Sequence, residues 1–278
     1  MIMRVILILA MAAAVSACGG YSNDGSSCKT SVVAAFYPLA YAAEQVGGDS
    51  VDVTNLTPPG TEPHDVELSV RDVERVRSAD IVFYLGEGFQ PALERAVDGA
   101  DGETVDLLQS VEVREKDPHV WLDPVRFQQI AMKIGDVLDR PSEPFARRLM
   151  KLHADFNQGL ARCERREIVT SHDAFGYLAD RYGLKQIPIT GISPEAEPTP
   201  RALERVIEQV RESGATTVFF ETLLSPRIAE TVARETGART AVLNPIEGLT
   251  EDEVARGENY FSVMRENLAT LRKALGCR

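Results

Sequence analysis

The most informative stretch of the chain is Asp117-Pro118-His119-Val120-Trp121-Leu122-Asp123-Pro124, which contains the only tryptophan and one of the four histidines. Pro118 disfavours helix in the residue before it, so the chain should approach His119 in an extended conformation. The three residues after His119 form a short apolar wall, and Asp123-Pro124 is typical of the cap and first residue of a helix. A histidine on such a stiff loop is well placed to bind a metal, although a single histidine more often lies in a core and donates one hydrogen bond.

On either side of this stretch, β-rich apolar runs alternate with helical patterns. Strands are predicted at residues 31–36, 51–56, 79–85, 104–107, 167–170, 185–189, 217–220 and 240–243. Strands that alternate with helices form parallel sheets covered by helices on both faces. The pattern restarts after a long, charged helical segment at residues 141–165. The predicted fold class is therefore α/β, with two lobes joined by one long rigid helix.

The first residues are typical of a leader. Arg4 supplies a positive charge, and residues 5–15 form an apolar run that is too short to be a permanent membrane span. The small residues before Cys18 and the two glycines after it resemble a bacterial lipobox. That resemblance implies cleavage before Cys18 and lipidation of its thiol and new amino group. Ordinary secretion with cleavage near Ala17 is the alternative.

Residues 19–27 are rich in glycine, serine, asparagine and aspartate, a composition that is typical of a flexible tether. The predicted organisation is a signal peptide at residues 1–17, a lipid-anchored tether at 18–30, an N-terminal lobe at 31–140, a linking helix at 141–165 and a C-terminal lobe at 166–278. We therefore expect an extracytoplasmic protein that is anchored to the cell membrane by a lipid on Cys18.

The charge of the chain argues against nucleic acid as a partner. Its 42 acidic and 30 basic residues give a net charge of −12. Phosphate binding needs a concentrated basic surface, and none of the basic runs is long. An acidic surface would suit a cationic ligand, but it equally keeps a protein soluble.

Three cysteines remain after Cys18, and in an oxidising compartment two of them should pair. We predict a disulfide between Cys163 and Cys277, because both lie at the ends of predicted helices in the second half of the chain. Cys28 lies near the tether and is expected to stay free. A disulfide from Cys28 to either of the others remains open.

Five polar residues follow predicted strands or lie on loops that enter helices: His64, His119, His172, Glu221 and Asn244. In open α/β sheets, ligands bind outside the carboxyl ends of the strands, so two lobes that face each other would bring these loops together. Three converging imidazoles are typical of a zinc site, whereas harder cations prefer more oxygen. The spacings are too wide for a local motif such as a zinc finger. His153, inside the long helical segment, is predicted to be a solvated surface residue.

Several short motifs resemble the zinc- and manganese-binding substrate-binding lipoproteins of ABC importers. They are the lipobox, residues 35–38, residues 62–65, the His119 stretch, residues 170–177 and Phe220-Glu221. The similarity runs in matching order from about Val32 to the C-terminus. The resemblance implies two (β/α)4-like lobes with the metal held between them, and it makes His64, His119 and His172 the first three ligands.

The resemblance leaves the fourth ligand open. The third ligand of this family is histidine in zinc importers and often glutamate in manganese importers, so His172 favours Zn²⁺ over Mn²⁺. The fourth is usually an aspartate after the last strand, where this chain has Asn244. The candidates are Asn244, a water, Glu221 and Glu247, and Asn244 or water is preferred because Asn244 occupies the position at the end of the strand. The His-rich loop common in zinc-importer relatives is missing from residues 110–116.

The predicted function is a monomeric receptor that captures zinc outside the cytoplasm and delivers it to the permease of an ABC importer. The protein is then not an enzyme. A zinc-dependent hydrolase is one alternative, because three histidines with an open fourth position could activate water. A surface adhesin is another, because relatives of this family have been described as adhesins.

Overall fold

The computed structural model describes residues 29–114, 116–194 and 197–278. The predicted signal peptide, the predicted lipidation at Cys18 and the expectation that Cys28 stays free all concern residues outside the described ranges. Within the described ranges, no helix has both the length and the apolar character that crossing a membrane requires.

The first half of the chain builds a four-stranded parallel sheet with the strand order β2-β1-β3-β4. Its elements are β1 (Thr30–Ala34), α1 (Tyr37–Gly47), β2 (Val51–Asn55), α2 (Val70–Ser78), β3 (Ile81–Tyr84), α3 (Pro91–Val97) and β4 (Glu103–Asp106). Helices α4 (Pro124–Leu138) and α5 (Glu143–Leu160) follow. Short 3-10 helices at Leu107–Ser110 and Val120–Leu122 lie between β4 and α4.

The second half repeats this arrangement with the strand order β6-β5-β7-β8, again all parallel. Its elements are β5 (Glu167–Thr170), α6 (Gly176–Tyr182), β6 (Lys185–Pro188), α7 (Pro200–Ser213), β7 (Thr217–Phe220), α8 (Arg227–Thr236), β8 (Arg239–Val242), α9 (Glu251–Ala255) and α10 (Tyr260–Leu275). Two parallel sheets flanked by helices confirm the predicted α/β class.

Local sequence explains most of the helix starts. Asp123 accepts a hydrogen bond from the backbone N–H of Val125 at 3.0 Å, and Pro124 opens α4. Ser69 and Asp72 form a reciprocal capping box at the start of α2. Helix α9 was not predicted, although Thr250 and Glu253 form a capping box there as well. Five residues are too few to show helical periodicity, so the capping pair is its only local signal.

The strand order brings the functional loops to one edge of each sheet. In the first sheet β2 and β3 lie on opposite sides of β1, and in the second β6 and β7 lie on opposite sides of β5. A reversal of this kind opens a crevice at the carboxyl ends of the strands, where ligands bind. The loop with His172 follows β5 directly, and Glu221 follows β7 directly.

The two sheets are not separated into independent cores. The larger apolar cluster extends from Phe36 and Trp121 in the first half to Tyr177 and Phe261 in the second. A smaller cluster around Val169, Val218 and Val232 lies beneath α7 and α8. The first and second halves therefore contribute to one shared apolar core.

A disulfide bond joins Cys163, just after α5, to Cys277, just after α10. It connects residues that are 114 positions apart in sequence. Helix α5 is the long helix between the two sheets, and at Glu143–Leu160 it is shorter than the predicted segment at residues 141–165. The proposed lobe boundaries remain predictions.

Candidate metal centre

Four side chains from four separate loops direct one ligand atom each to a common point: His64, His119, His172 and Glu247. His64 lies between β2 and α2, His119 precedes a 3-10 helix, His172 follows β5, and Glu247 follows β8. The four ligand atoms all lie within 4.8 Å of one another. Two come from loops in each half of the chain, so the cluster bridges the two sheets.

The distances within this cluster match a tetrahedral metal site. The Nε2 atoms of His64 and His119 are 3.3 Å apart. Glu247 Oε1 lies 2.9 Å from Nε2 of His119, 3.2 Å from Nε2 of His172 and 3.5 Å from Nε2 of His64. Zinc bound tetrahedrally at its usual bond lengths separates neighbouring ligand atoms by about 3.3 Å. These four separations, from 2.9 to 3.5 Å, are therefore close to those that a tetrahedral zinc ion requires.

The cluster is almost completely shielded from water. The side chains of His119 and Glu247 are 0% exposed, that of His172 is 1% exposed, and that of His64 is 7% exposed. Removal from water strengthens the attraction between Glu247 and a cation, because the surrounding medium screens charges weakly. Burial also opposes an unpaired charge, which makes a bound divalent cation a natural counter-charge for the carboxylate.

Asp117 sets the orientation of His119. One oxygen of Asp117 accepts hydrogen bonds from the backbone N–H of His119 at 3.0 Å and from its ring Nδ1–H at 2.7 Å. This bond places the proton on Nδ1 and leaves Nε2 free to bind a metal. Burial alone lowers the pKa of His119, but the hydrogen bonds to Asp117 and Glu247 outweigh it and raise the pKa.

Glu221 has the same relation to His172. Its Oε1 accepts hydrogen bonds from Nδ1 of His172 at 2.8 Å and from the hydroxyl of Ser171 at 2.7 Å. Burial lowers the pKa of His172, but Glu247 and Glu221 together raise it well above its ordinary value. The structure thus places Glu221 behind His172, where it orients a ligand, and not beside the histidine Nε2 atoms.

Asn244 does not join the cluster. Its Oδ1 accepts the backbone N–H of Ile246 at 2.7 Å, and its Nδ2 donates to Glu253 and Thr222 at 3.1 Å each. The expectation that Asn244 or a water is the fourth ligand is therefore not met, because the amide is engaged in shaping its own loop. The loop turns through Ile246 with a positive φ of 57° and brings Glu247 to the histidines.

A third carboxylate, Glu62, lies next to the cluster. Carboxylate oxygens of Glu62, Glu221 and Glu247 lie within 4.8 Å of one another, and Oε2 of each has no hydrogen-bond partner. Burial and the charge of Glu247 raise the pKa of Glu62 to about 10. Glu247 has the opposite shift: burial raises its pKa, but the three histidines outweigh burial and hold the pKa well below its usual range. The two neighbouring carboxyl groups therefore shift in opposite directions, and Glu62 holds a proton more readily than Glu247.

Two other residues differ from the sequence-based expectations. His153 is half-buried and so less exposed than predicted, and its Nδ1 lies 3.2 Å from the hydroxyl of Tyr182. Asp117 was not identified as a functional residue, although its position two residues before a histidine, with a proline between them, is the local signal for such a contact. Glu247 was only one of several open candidates.

Comparison with known proteins agrees with this geometry. The family model described as zinc-uptake complex component A, periplasmic (ZnuA), matches residues 32–274. The chain is 32% identical over 298 residues to the high-affinity zinc uptake system protein ZnuA of Bacillus subtilis, covering 94% of this chain and 93% of that protein. It is also 32% identical over 303 residues to the zinc-binding lipoprotein AdcA of Streptococcus pneumoniae, covering 97% of this chain and 60% of AdcA. The chain thus spans about three fifths of the length of that curated relative.

Solved structures show the same likeness. The Zn(II)-bound ZnuA-like domain of Streptococcus pneumoniae AdcA has a TM-score of 0.79 and 34% identity, and the match covers 89% of this chain and 99% of that one. The laminin-binding protein Lmb of Streptococcus agalactiae, described as bifunctional with adhesin and metal-transporting activity, has a TM-score of 0.81 and 30% identity, covering 88% of this chain and 99% of that one. From the family match and these relatives, the chain belongs to the ZnuA family of zinc-uptake components.

Proposed function

We propose that this protein is an extracytoplasmic zinc receptor that binds one Zn²⁺ between its two halves and delivers it to the permease of an ABC importer. The observation that carries the proposal is the buried convergence of three imidazole nitrogens and one carboxylate oxygen within 4.8 Å. The ligands are His64, His119, His172 and Glu247. The names of the relatives, which are zinc-uptake and zinc-binding proteins, support the same cargo.

The donor set favours zinc over manganese. Three nitrogen donors and one oxygen donor match the ligands that zinc prefers, whereas manganese is better suited by oxygen. Glu247 also neutralises one of the two charges of the ion at closest approach. Asp117 and Glu221 each hold a ligand imidazole by its second nitrogen, at 2.7 Å and 2.8 Å, which is the outer arrangement typical of zinc sites.

The same geometry argues for a receptor and against a hydrolase. A catalytic zinc keeps a coordination position open for water or substrate, whereas a site with four protein ligands is closed. Here Glu247 occupies the fourth position, and none of the four side chains is more than 7% exposed. The adhesin alternative rests on the names of laminin-binding structural relatives, such as Lmb and the laminin-binding protein Lbp of Streptococcus pyogenes, and is not part of this proposal.

The family supports the proposed location and partner. Relatives named lipoproteins support a lipid anchor at Cys18 after removal of residues 1–17. A periplasmic zinc-uptake component supports a membrane permease as the partner. We propose that the receptor acts as a monomer, because both halves of the metal site come from one chain.

Metal analysis and competition titration test this function. The secreted protein should contain one zinc per chain, and zinc should displace manganese at equal concentrations. Disruption of the gene should reduce growth in zinc-depleted medium, and added zinc should restore it. A preference for manganese, or turnover of ester or peptide substrates by the zinc-loaded protein, would contradict the proposal.

A further inference from the structure

One face of α6 contacts both ends of the stretch that carries His119. Tyr177 and Arg181 are four residues apart, so their side chains lie on the same side of the helix. Tyr177 contacts the residues just before His119, and Arg181 contacts the residues just after it. The same helix begins at Gly176, four residues after His172. A single short helix therefore lies between two ligands that come from different halves of the chain.

Tyr177 holds the segment before His119. Its side chain is completely buried, and its hydroxyl donates a hydrogen bond to the backbone carbonyl of Asp117 at 2.8 Å. The same hydroxyl accepts the backbone N–H of Arg114 at 2.8 Å. The hydroxyl thus donates one hydrogen bond and accepts another, and both partners lie on the loop just before His119. Asp117 in turn accepts hydrogen bonds from the backbone N–H and the ring Nδ1–H of His119. The position of Tyr177 therefore fixes the position of His119.

Arg181 holds the segment after His119. Its Nε lies 3.0 Å from both carboxylate oxygens of Asp123, and its Nη2 lies 2.7 Å from Oδ2. The Asp123 side chain is 0% exposed and also caps α4 through the backbone N–H of Val125. A paired, charge-assisted contact of this kind fixes direction as well as distance. The chain is therefore anchored to α6 on both sides of His119.

Gly176, the first residue of α6, has no side chain, and this allows the helix to pack closely against the loop before His119. A Cβ atom at Gly176 would lie 3.1 Å from Oδ2 of Asp117 and 2.7 Å from Nη1 of Arg114. The backbone of α6 consequently packs directly against the carboxylate that orients His119. This backbone packing does not depend on the side chains of Tyr177 and Arg181. It holds the loop that carries His119 against α6, as those two side chains do.

We propose that Tyr177 and Arg181 are positioning residues for His119, so that α6 sets the distance between the His119 and His172 ligands before the metal arrives. The proposal rests on the proposed zinc site. Neither residue touches the metal: Tyr177 acts through Asp117, and Arg181 acts through Asp123. Loss of either contact should let the loop that carries His119 shift, which weakens zinc binding and alters the coordination geometry.

The first test is a double-mutant cycle on zinc affinity in the full secreted chain. Tyr177→Phe removes only the hydroxyl and should weaken zinc binding about 10-fold, the lower end of the effect of losing an outer partner of a metal ligand. The same change made in His119→Ala should have no further effect, because the ligand it positions is gone. Made in His64→Ala, it should again cost about 10-fold.

A matched control lies on the same helix. Tyr182→Phe also removes a hydroxyl from a buried tyrosine, but that hydroxyl contacts His153 and not the His119 stretch. It should leave zinc affinity unchanged. An equal loss for Tyr177→Phe in the wild-type, His119→Ala and His64→Ala backgrounds, or no loss in any of them, would overturn the proposal.

A second variant and a spectroscopic measurement keep the test independent of stability. Arg181→Lys preserves the charge but not the paired contact, and it should weaken zinc binding through the same ligand. In cobalt-loaded protein, both Tyr177→Phe and Arg181→Lys should reduce the intense visible absorption of tetrahedral Co²⁺, whereas Tyr182→Phe should not. An unchanged cobalt spectrum in both variants would refute the positioning role. Failure of the wild-type chain itself to bind zinc would instead refute the proposed function, and this inference with it.

Discussion

Glu247 brings a negative charge into contact with three imidazoles in a place that water does not reach, with 0% of its side chain exposed. At the scale of single residues, this charge should contribute more to zinc affinity than any neighbouring polar group. Glu247→Gln keeps the size and removes the charge. We expect it to weaken zinc binding by more than the roughly 100-fold upper range for an outer-shell partner. Competition titration against a chromogenic chelator measures the change.

Asn244→Asp is the informative control for this variant. The amide of Asn244 donates to the carboxylate of Glu253 at 3.1 Å, so an aspartate would place two buried carboxylates against each other. We expect a loss of about 1 to 3 kcal/mol in the free energy of unfolding and no gain in zinc affinity. Tighter zinc binding by this variant, together with an unchanged Glu247→Gln variant, would return Asn244 to the ligand set.

The raised pKa values of His119 and His172 predict a pH dependence. Both exceed the ordinary value of 6.5, so in the metal-free protein these imidazoles hold protons that zinc must displace. Zinc affinity should therefore decrease as the pH falls, beginning above pH 6.5. The stability of the metal-free fold has the opposite dependence, because a raised pKa stabilises below the unfolded value and that stabilisation is lost as the pH rises through the folded value. Calorimetric titrations in buffers of different ionisation enthalpy would show the released protons, and a constant affinity between pH 8 and pH 6 would contradict the prediction.

At the scale of elements, the disulfide ties the helix between the two sheets to the last helix of the chain. Closing a loop of 114 residues restricts the unfolded chain, so Cys163→Ser combined with Cys277→Ser should reduce the free energy of unfolding by about 4 to 5 kcal/mol. Zinc affinity should change little, because neither cysteine belongs to the metal cluster. Denaturant unfolding of the wild-type protein and the double variant measures the change in stability, and a zinc titration of each measures the change in affinity. A large loss of zinc affinity would show that this crosslink also shapes the site.

Apolar patterns predicted the strands to within a few residues. The central strands β1, β3, β5 and β7 are the clearest, because strands buried on both faces are nearly continuous apolar runs. The start of helix α4 was predicted where it is observed, because Asp123 and Pro124 mark it. The three histidines could be found because each follows a strand or enters a helix. Glu247 could not be chosen from sequence, because its placement depends on the positive φ of Ile246, a conformation that a β-branched residue rarely adopts and that no local pattern indicates.

At the scale of the whole molecule, the metal site and the shared apolar core both join the first half of the chain to the second. Zinc should therefore stabilise the entire fold and not one loop. At free zinc about 100-fold above the Kd, the free energy of unfolding should increase by about 2.7 kcal/mol. Differential scanning calorimetry with and without zinc measures the shift in Tm.

His64→Ala should abolish most of that shift in Tm, whereas His153→Ala should leave it intact. His153 lies on α5 and contacts Tyr182 of α6, so it is outside the four-ligand cluster. A zinc-dependent shift of the same size in His64→Ala as in the wild-type chain would mean that the stabilising ion binds elsewhere.

The burial of the ligands also determines how long a captured ion stays. With the side chains of His119 and Glu247 at 0% exposure, a chelator in solution cannot reach the ion while the two halves remain together. Release should then be limited by the frequency with which the halves separate. The rate of zinc loss to a chelator should be first order in protein and independent of chelator concentration once the chelator is in excess. Residence time would thus be a mechanical property of the molecule, which a partner that pulls the halves apart could shorten without competing for the metal.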